Sequence, residues 1–160
     1  MKQTAYLGLF LALALICSYI ESLIPFQFGI PGIKLGLTNI VVLLMLYRMG
    51  AKYALAVSVA RIFLAGLLFG NLFSILYSLA GGLLSFVCMV LLKQTGKFKV
   101  VSISAAGGAA HNLGQVCMAA AVVENLNLFF YYPVLLLAGV VTGVLIGISA
   151  QEILLHLPRG

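Results

Sequence analysis

Apolar residues run along this chain in long blocks, broken at short intervals by glycine, proline or charge. Crossing the hydrocarbon core of a bilayer as a helix takes roughly 20 apolar residues, with a working range of about 17–25. The blocks predict helices over about 4–24, 34–48, 51–69, 71–92, 100–123 and 130–156. Between them lie a greasy loop with Pro25, Gly29, Pro31 and Gly32, a break at Gly50, and a turn at Gly70-Asn71. The polar hairpin Lys93–Lys99 and the turn Glu124–Asn127 follow. The second block is short, so its start is expected below the membrane surface. The sixth is longer than a crossing needs, so tilt or protrusion is expected. No internal repeat or low-complexity linker divides the chain. The expectation is therefore an all-α, integral membrane bundle of six transmembrane helices forming one domain over residues 1–160.

Composition strengthens that picture. Hydrophobic residues make up 64% of the 160 and charged residues 8%, with a mean hydropathy of +1.22, where a soluble domain carries about 25% charged residues. Lys2 precedes a long apolar run with no clear small-residue cleavage site, so the first block reads as a membrane helix rather than a signal peptide. The net charge of +6 raises nucleic acid as a partner, but the placement of the bases answers it. If the helices alternate, Lys2, Arg48, Lys52, Lys93, Lys97, Lys99 and Arg159 fall on one side, and the other keeps only Lys34 at a helix start. Positive residues favour the cytoplasm. Both termini are expected inside, in a multi-pass protein of the bacterial plasma membrane, with membrane lipid and no nucleic acid around it. Cys17, Cys88 and Cys117 all lie in apolar blocks and give neither a disulfide framework nor a metal-ligand spacing.

Against so apolar a background, polar side chains at membrane depth stand out, because such residues usually face a partner, a ligand or water. Glu21 lies near the outer end of the first helix, and Lys34, Thr38 and Asn39 open the second. Arg61 lies past the middle of the third helix; Asn71, Ser74, Tyr77 and Ser78 occupy the outer third of the fourth. In the fifth, the small run Ala105–Ala110 leads into His111, Asn112 and Gln115. His111 and Gln115 are one turn apart on one face, which Gly107 and Gly108 continue, and Asn112 points about 100° away. Tyr131 and Tyr132 stand at the outer start of the sixth, as in an interfacial aromatic belt.

These positions predict a polar pocket in the outer half that opens outward or is lidded from outside by the 25–33 loop. Its substrate-binding candidates are Lys34, Asn39, Arg61, Asn71, Tyr77, His111, Asn112 and Gln115. Lys34 and Arg61 would supply charge to an anionic group, while Glu21 and Arg61 are also candidates for an ion pair. Ser74, Ser78 and Thr38 are expected to bond their own helix backbone, and Lys34 to snorkel if it is not a ligand contact. Small residues four apart, Gly8 with Ala12 and Ala14 with Ser18 in the first helix and Gly139, Gly143 and Gly147 in the sixth, permit close helix approach within the chain or with a partner.

Several chemistries lack their motifs. There is no GxxxxGK[ST] phosphate loop, no HExxH and no CxxC. The only acids are Glu21, Glu124 and Glu152, so no aspartate-rich motif can hold magnesium against a diphosphate. The expectation is a protein that is not an enzyme, needs no cofactor and holds no metal.

The segments PGIKLGLTNIVVLL (31–44), ARIFLAGLLFG (60–70), SLAGGLLSF (78–86) and above all GGAAHNLGQ (107–115) resemble the Gx transporter family, also labelled heptaprenyl diphosphate synthase component I. That family is similar to the substrate-binding S components of energy-coupling factor (ECF) transporters. The resemblance implies a six-helix subunit that captures a vitamin-like or isoprenoid-precursor-like solute outside. It would dock on a transmembrane T subunit driven by two ATP-binding subunits. S components commonly dock through AxxxA on the first helix; here the nearest match is Gly8-xxx-Ala12. The alternative is a non-catalytic membrane subunit of a flavin- or quinone-linked redox or prenyl-quinone assembly.

Overall fold

A computed structural model describes residues 2–24 and 36–156. It is all-helical, with six α-helices in the expected order: α1 Lys2–Leu23, α2 Asn39–Arg48, α3 Ala51–Phe69, α4 Leu72–Gln94, α5 Val100–Val123 and α6 Tyr132–His156. A short 3-10 helix, Leu126–Tyr131, leads into α6. Pro133 falls at the second position of α6, where the missing N–H costs no helix bond.

Among the described residues, four helical stretches are long and apolar enough to cross a membrane: Gln3–Leu23, Ala51–Phe69, Leu72–Gln94 and Leu126–His156. The other two depart from the expectation of six spanning segments. With 24 residues α5 has the length, but its glycines and the His111, Asn112 and Gln115 cluster dilute its hydropathy. At ten residues α2 is too short, and it starts at Asn39 rather than near 34. The late start has a backbone cause. Gly36 has φ +81°, outside the right-handed helical region and open only to glycine at little cost. Lys34 and the 25–33 loop lie outside the described residues.

Although it is the shortest helix, α2 contacts all five others, and six consecutive residues, Val41–Leu46, are buried. Around them Ala14, Ala54, Val57, Phe86, Met89, Ile103, Ile146 and Ala150 complete the main apolar core. Large side chains on the outer faces, among them Leu67, Leu68, Leu72, Phe130, Leu137 and Leu145, are exposed, as expected where lipid is the solvent. The chain therefore has the make-up of a multi-pass membrane protein.

Glycine seams hold the second half together. A Cβ on Gly143 would lie 2.6 Å from the Ser104 carbonyl oxygen, one on Gly147 2.7 Å from Val101 Cα, and one on Gly108 would overlap the Gly139 carbonyl. The Gly139, Gly143 and Gly147 face thus packs internally, backbone to backbone, on α5. On the opposite flank of α5, a Cβ on Gly114 would meet the Ala80 carbonyl at 2.6 Å, and one on Gly107 would meet Met89 Cγ at 2.7 Å. The result is a tight slab of α4, α5 and α6. By contrast, among the described residues α1 packs only on α3 and α2. Its Ala14 and Ser18 are buried, while Gly8 and Ala12 are exposed and no atom lies within 4 Å of a Cβ placed on Gly8.

Candidate functional site

Apart from Ser58, Ser85 and Ser104, the buried polar side chains among the described residues gather at one level of the bundle. They come from the C-terminal end of α1 (Ser18, Glu21), the start of α2 (Thr38, Asn39), the second half of α3 (Arg61), the first half of α4 (Ser74, Ser78) and the second half of α5 (His111, Asn112, Gln115). The apolar core lies below this layer, toward the end where α2 finishes and α3 begins.

At the α1 side, the Glu21 carboxylate accepts hydrogen bonds from the backbone N–H groups of Gly36 (2.5 Å) and Leu37 (3.4 Å). These donors precede the first turn of α2, where orphan N–H groups and the helix dipole both favour an anion. Arg61 is 3% exposed. Its Nη1 donates to Ser18 Oγ at 3.4 Å, and Ser18 Oγ lies 3.2 Å from Thr38 Oγ1. Glu21 and Arg61 thus take separate hydrogen-bond partners. Thr38 joins this cross-helix chain instead of bonding its own helix. Arg61 Nε is buried without a protein partner.

The middle of the layer is built on His111. Its ring sits between Gly36 and Gly81. A Cβ on Gly36 would lie 3.3 Å from His111 Cδ2 and 3.1 Å from Asn39 Nδ2, and one on Gly81 would lie 3.2 Å from His111 Cε1 and 2.8 Å from Gln115 Cγ. The start of α2, α4 and α5 therefore converge on one imidazole, with glycine favoured by the positive φ at position 36 and by the close approach of the α5 backbone at position 81. Asn112 turns the other way, as its 100° offset implies: Nδ2 donates to the Leu135 carbonyl at 2.5 Å, binding α5 to α6. Asn112 Oδ1 and Ser85 Oγ are buried without a protein partner.

Of the sequence candidates, Asn39, Arg61, His111, Asn112 and Gln115 share this layer. Tyr77 is buried, but in an apolar cluster with Val116, Ala119 and Leu135. Asn71 is exposed and caps α4, its Oδ1 accepting from Ser74 N–H at 2.9 Å; this satisfies an orphan donor of the first turn and takes Asn71 out of the pocket. Ser18, Gly36 and Gly81 complete the layer, and the sequence does not mark them as site residues. For Ser18 the signal was its burial partner 20 residues on, which spacing does not reveal. Lys93 also has an unforeseen position. It bonds the Leu46 carbonyl at 2.5 Å and lies over the Tyr47 ring at 4.7 Å, closing the C-terminal end of α2.

An all-helical, multi-pass membrane fold with a buried polar layer defines the class of protein. Residues 10–153, most of the chain, match the family described as heptaprenyl diphosphate synthase component I, and the chain belongs to that family. No curated protein and no solved structure matches it.

Proposed function

We propose that this protein is a substrate-binding membrane subunit of the ECF type, non-catalytic in itself, which captures a small solute from the outer side of the cell membrane. Both termini are cytoplasmic in this reading, so the polar layer lies in the outer half. A transmembrane T subunit and two ATP-binding subunits supply the energy. The observation that carries the reading is the layer itself: five helices direct buried polar groups to one level of an otherwise apolar bundle, and Arg61 Nε and Asn112 Oδ1 are left without protein partners. Unsatisfied buried groups cost about 1–3 kcal/mol each, and a polar ligand would offset that cost. Arg61 favours an anionic solute, with Asn39, His111 and Gln115 beside it to orient neutral polar atoms.

The test is thermal-shift screening of the purified chain against vitamins, flavins and isoprenoid precursors. A ligand is expected to stabilise the wild type by several degrees and to lose that effect in His111→Ala and Arg61→Gln. No stabilisation by any of them, with an unchanged profile in both variants, would sink the reading. The alternative, a non-catalytic subunit of a redox or prenyl-quinone assembly, rests on the family's description as a synthase component. Co-purification with a flavoprotein and with no ATP-binding subunit would select it.

A further inference from the structure

One end of the bundle is strongly basic. Arg48 ends α2, Lys52 lies in the first turn of α3, Lys93 in the last turn of α4, and Lys97 and Lys99 in the hairpin that leads into α5. The contact of Lys93 with the Leu46 carbonyl and the Tyr47 ring brings the ends of α2 and α4 together. Met49, Tyr53, Leu92 and Val100 pack on one apolar core, so the starts of α3 and α5 share this end. Of the three acids in the chain, only Glu152 of α6 belongs to it; Gly147, just before it, lies against Val101 at the start of α5. Glu21 is in the polar layer, and Glu124 is at the far end of α5.

The hairpin is built to hold its lysines out. Thr95 Oγ1 donates to the Leu92 carbonyl at 2.7 Å and accepts from the Lys97 N–H at 3.3 Å. Gly96 turns the chain with φ +67°. Lys97 and Lys99 are exposed, and Phe98 between them is 48% exposed. A half-exposed aromatic ring between two cations suits neither the apolar core nor bulk water. It suits the head-group zone of a bilayer, where aromatic rings sit at the interface and lysines meet phosphates. The adjoining surface agrees. Leu83, Val87 and Leu91 of α4 follow one another at four-residue spacing on an exposed apolar face that leads to the hairpin. The charge bias of membrane topology accounts for the side on which these lysines lie, but not for an exposed ring between two of them.

We propose that this end is a contact surface for anionic membrane lipid, with Lys97 and Lys99 holding lipid phosphates beside Phe98 and Lys52 adding attraction from the start of α3. The occupant follows from charge and position. Five bases against one acid call for an anion, and the apolar stripe that leads to the hairpin calls for acyl chains next to that anion. A soluble acidic protein would supply the charge but nothing for the stripe or for Phe98. Lys93, engaged with Leu46 and Tyr47, adds positive charge without reaching outward. The inference goes beyond the solute-binding reading and uses none of the polar layer.

The chain has no tryptophan, so Phe98→Trp places a single fluorophore at the tip. The full chain is put in phosphatidylcholine nanodiscs with a minor fraction of tail-brominated lipid, either phosphatidylglycerol or phosphatidylcholine. Brominated phosphatidylglycerol is expected to quench at an about fivefold lower mole fraction, the enrichment that one lysine near an anionic surface implies. The advantage shrinks when salt is raised from about 0.05 M to about 0.5 M, as screening requires. It falls to near parity when Lys97→Gln and Lys99→Gln are added, both at exposed positions outside the core. Phe130→Trp, at an exposed position of the opposite end, should show no such advantage. Equal quenching by the two lipids at the tip, an advantage that survives the lysine substitutions, or the same advantage at Phe130→Trp would overturn the proposal. Quenching by neither lipid would put the tip outside the bilayer and leave the face to a soluble partner. Loss of the advantage in inorganic phosphate at constant ionic strength would assign the lysines to a free anion. Each of these also overturns it. Native mass spectrometry of the wild type, supplied with both lipids, should show phosphatidylglycerol adducts that decline in the double lysine variant, which keeps the test in force if the tryptophan disturbs the tip; adducts unchanged by those substitutions would count against the proposal in the same way.

Discussion

Glu21 shows how much one side chain can organise at membrane depth. Its carboxylate holds the two N–H groups that precede α2. Glu21→Ala is expected to destabilise the protein by roughly 1.5–3 kcal/mol, the range for hydrogen bonds to a charged group. Glu21→Gln, which keeps an acceptor oxygen, should cost less. Unfolding in detergent micelles, followed by circular dichroism, would check the order; equal losses would show that the charge and not the acceptor matters. At this scale the sequence was legible in part. Polar residues inside apolar blocks marked Asn39, Arg61, His111, Asn112 and Gln115 because hydrocarbon makes any polar group conspicuous. Gly36 was not legible, since its positive φ follows from the tertiary position of its neighbours. Asn71 was misread although Asn before a helix, three residues ahead of Ser74, is an ordinary N-cap pattern.

Among the elements, glycine plays two opposite parts. The glycines of α5 and α6 admit a neighbouring backbone, while Gly8 faces open surface. Gly143→Ala is expected to force α5 and α6 apart and to cost at least 2 kcal/mol, within the ~1–3 kcal/mol typical of overpacking or above it. Gly8→Ala should be neutral or stabilising by up to about 1 kcal/mol through helix propensity. Thermal unfolding of the two variants side by side measures the contrast, and similar losses would contradict the packing described. Helix number and most boundaries were legible because block length and breaker residues set them: 51–69 and 100–123 agree with α3 and α5. The direction of the glycine face on α6 was not, since four-residue spacing is the same whether the partner is inside or outside the chain.

For the whole molecule, the proposed orientation puts the Lys97 hairpin inside and the Asn125 turn outside. With Cys17, Cys88 and Cys117 replaced by alanine, a cysteine at Asn125 is expected to react with a membrane-impermeant maleimide in intact cells. One at Lys97 should react only after permeabilisation. Labelling of both from the same side would refute the topology. The placement of the basic residues suggests that orientation, but the sequence could not show that the shortest α-helix is the one that all the other α-helices touch.

That position of α2 bears on how the protein is made. Ten residues give a helix about 15 Å long, half the ~30 Å hydrocarbon core, so its own apolarity does not carry it across the bilayer as a separate stage. Its walls come from α1 and α3 on one side and from the α4, α5 and α6 slab on the other, and four of these five helices follow it in the chain. A helix made before four of its five neighbours thus completes its surroundings only when the last of them has been made.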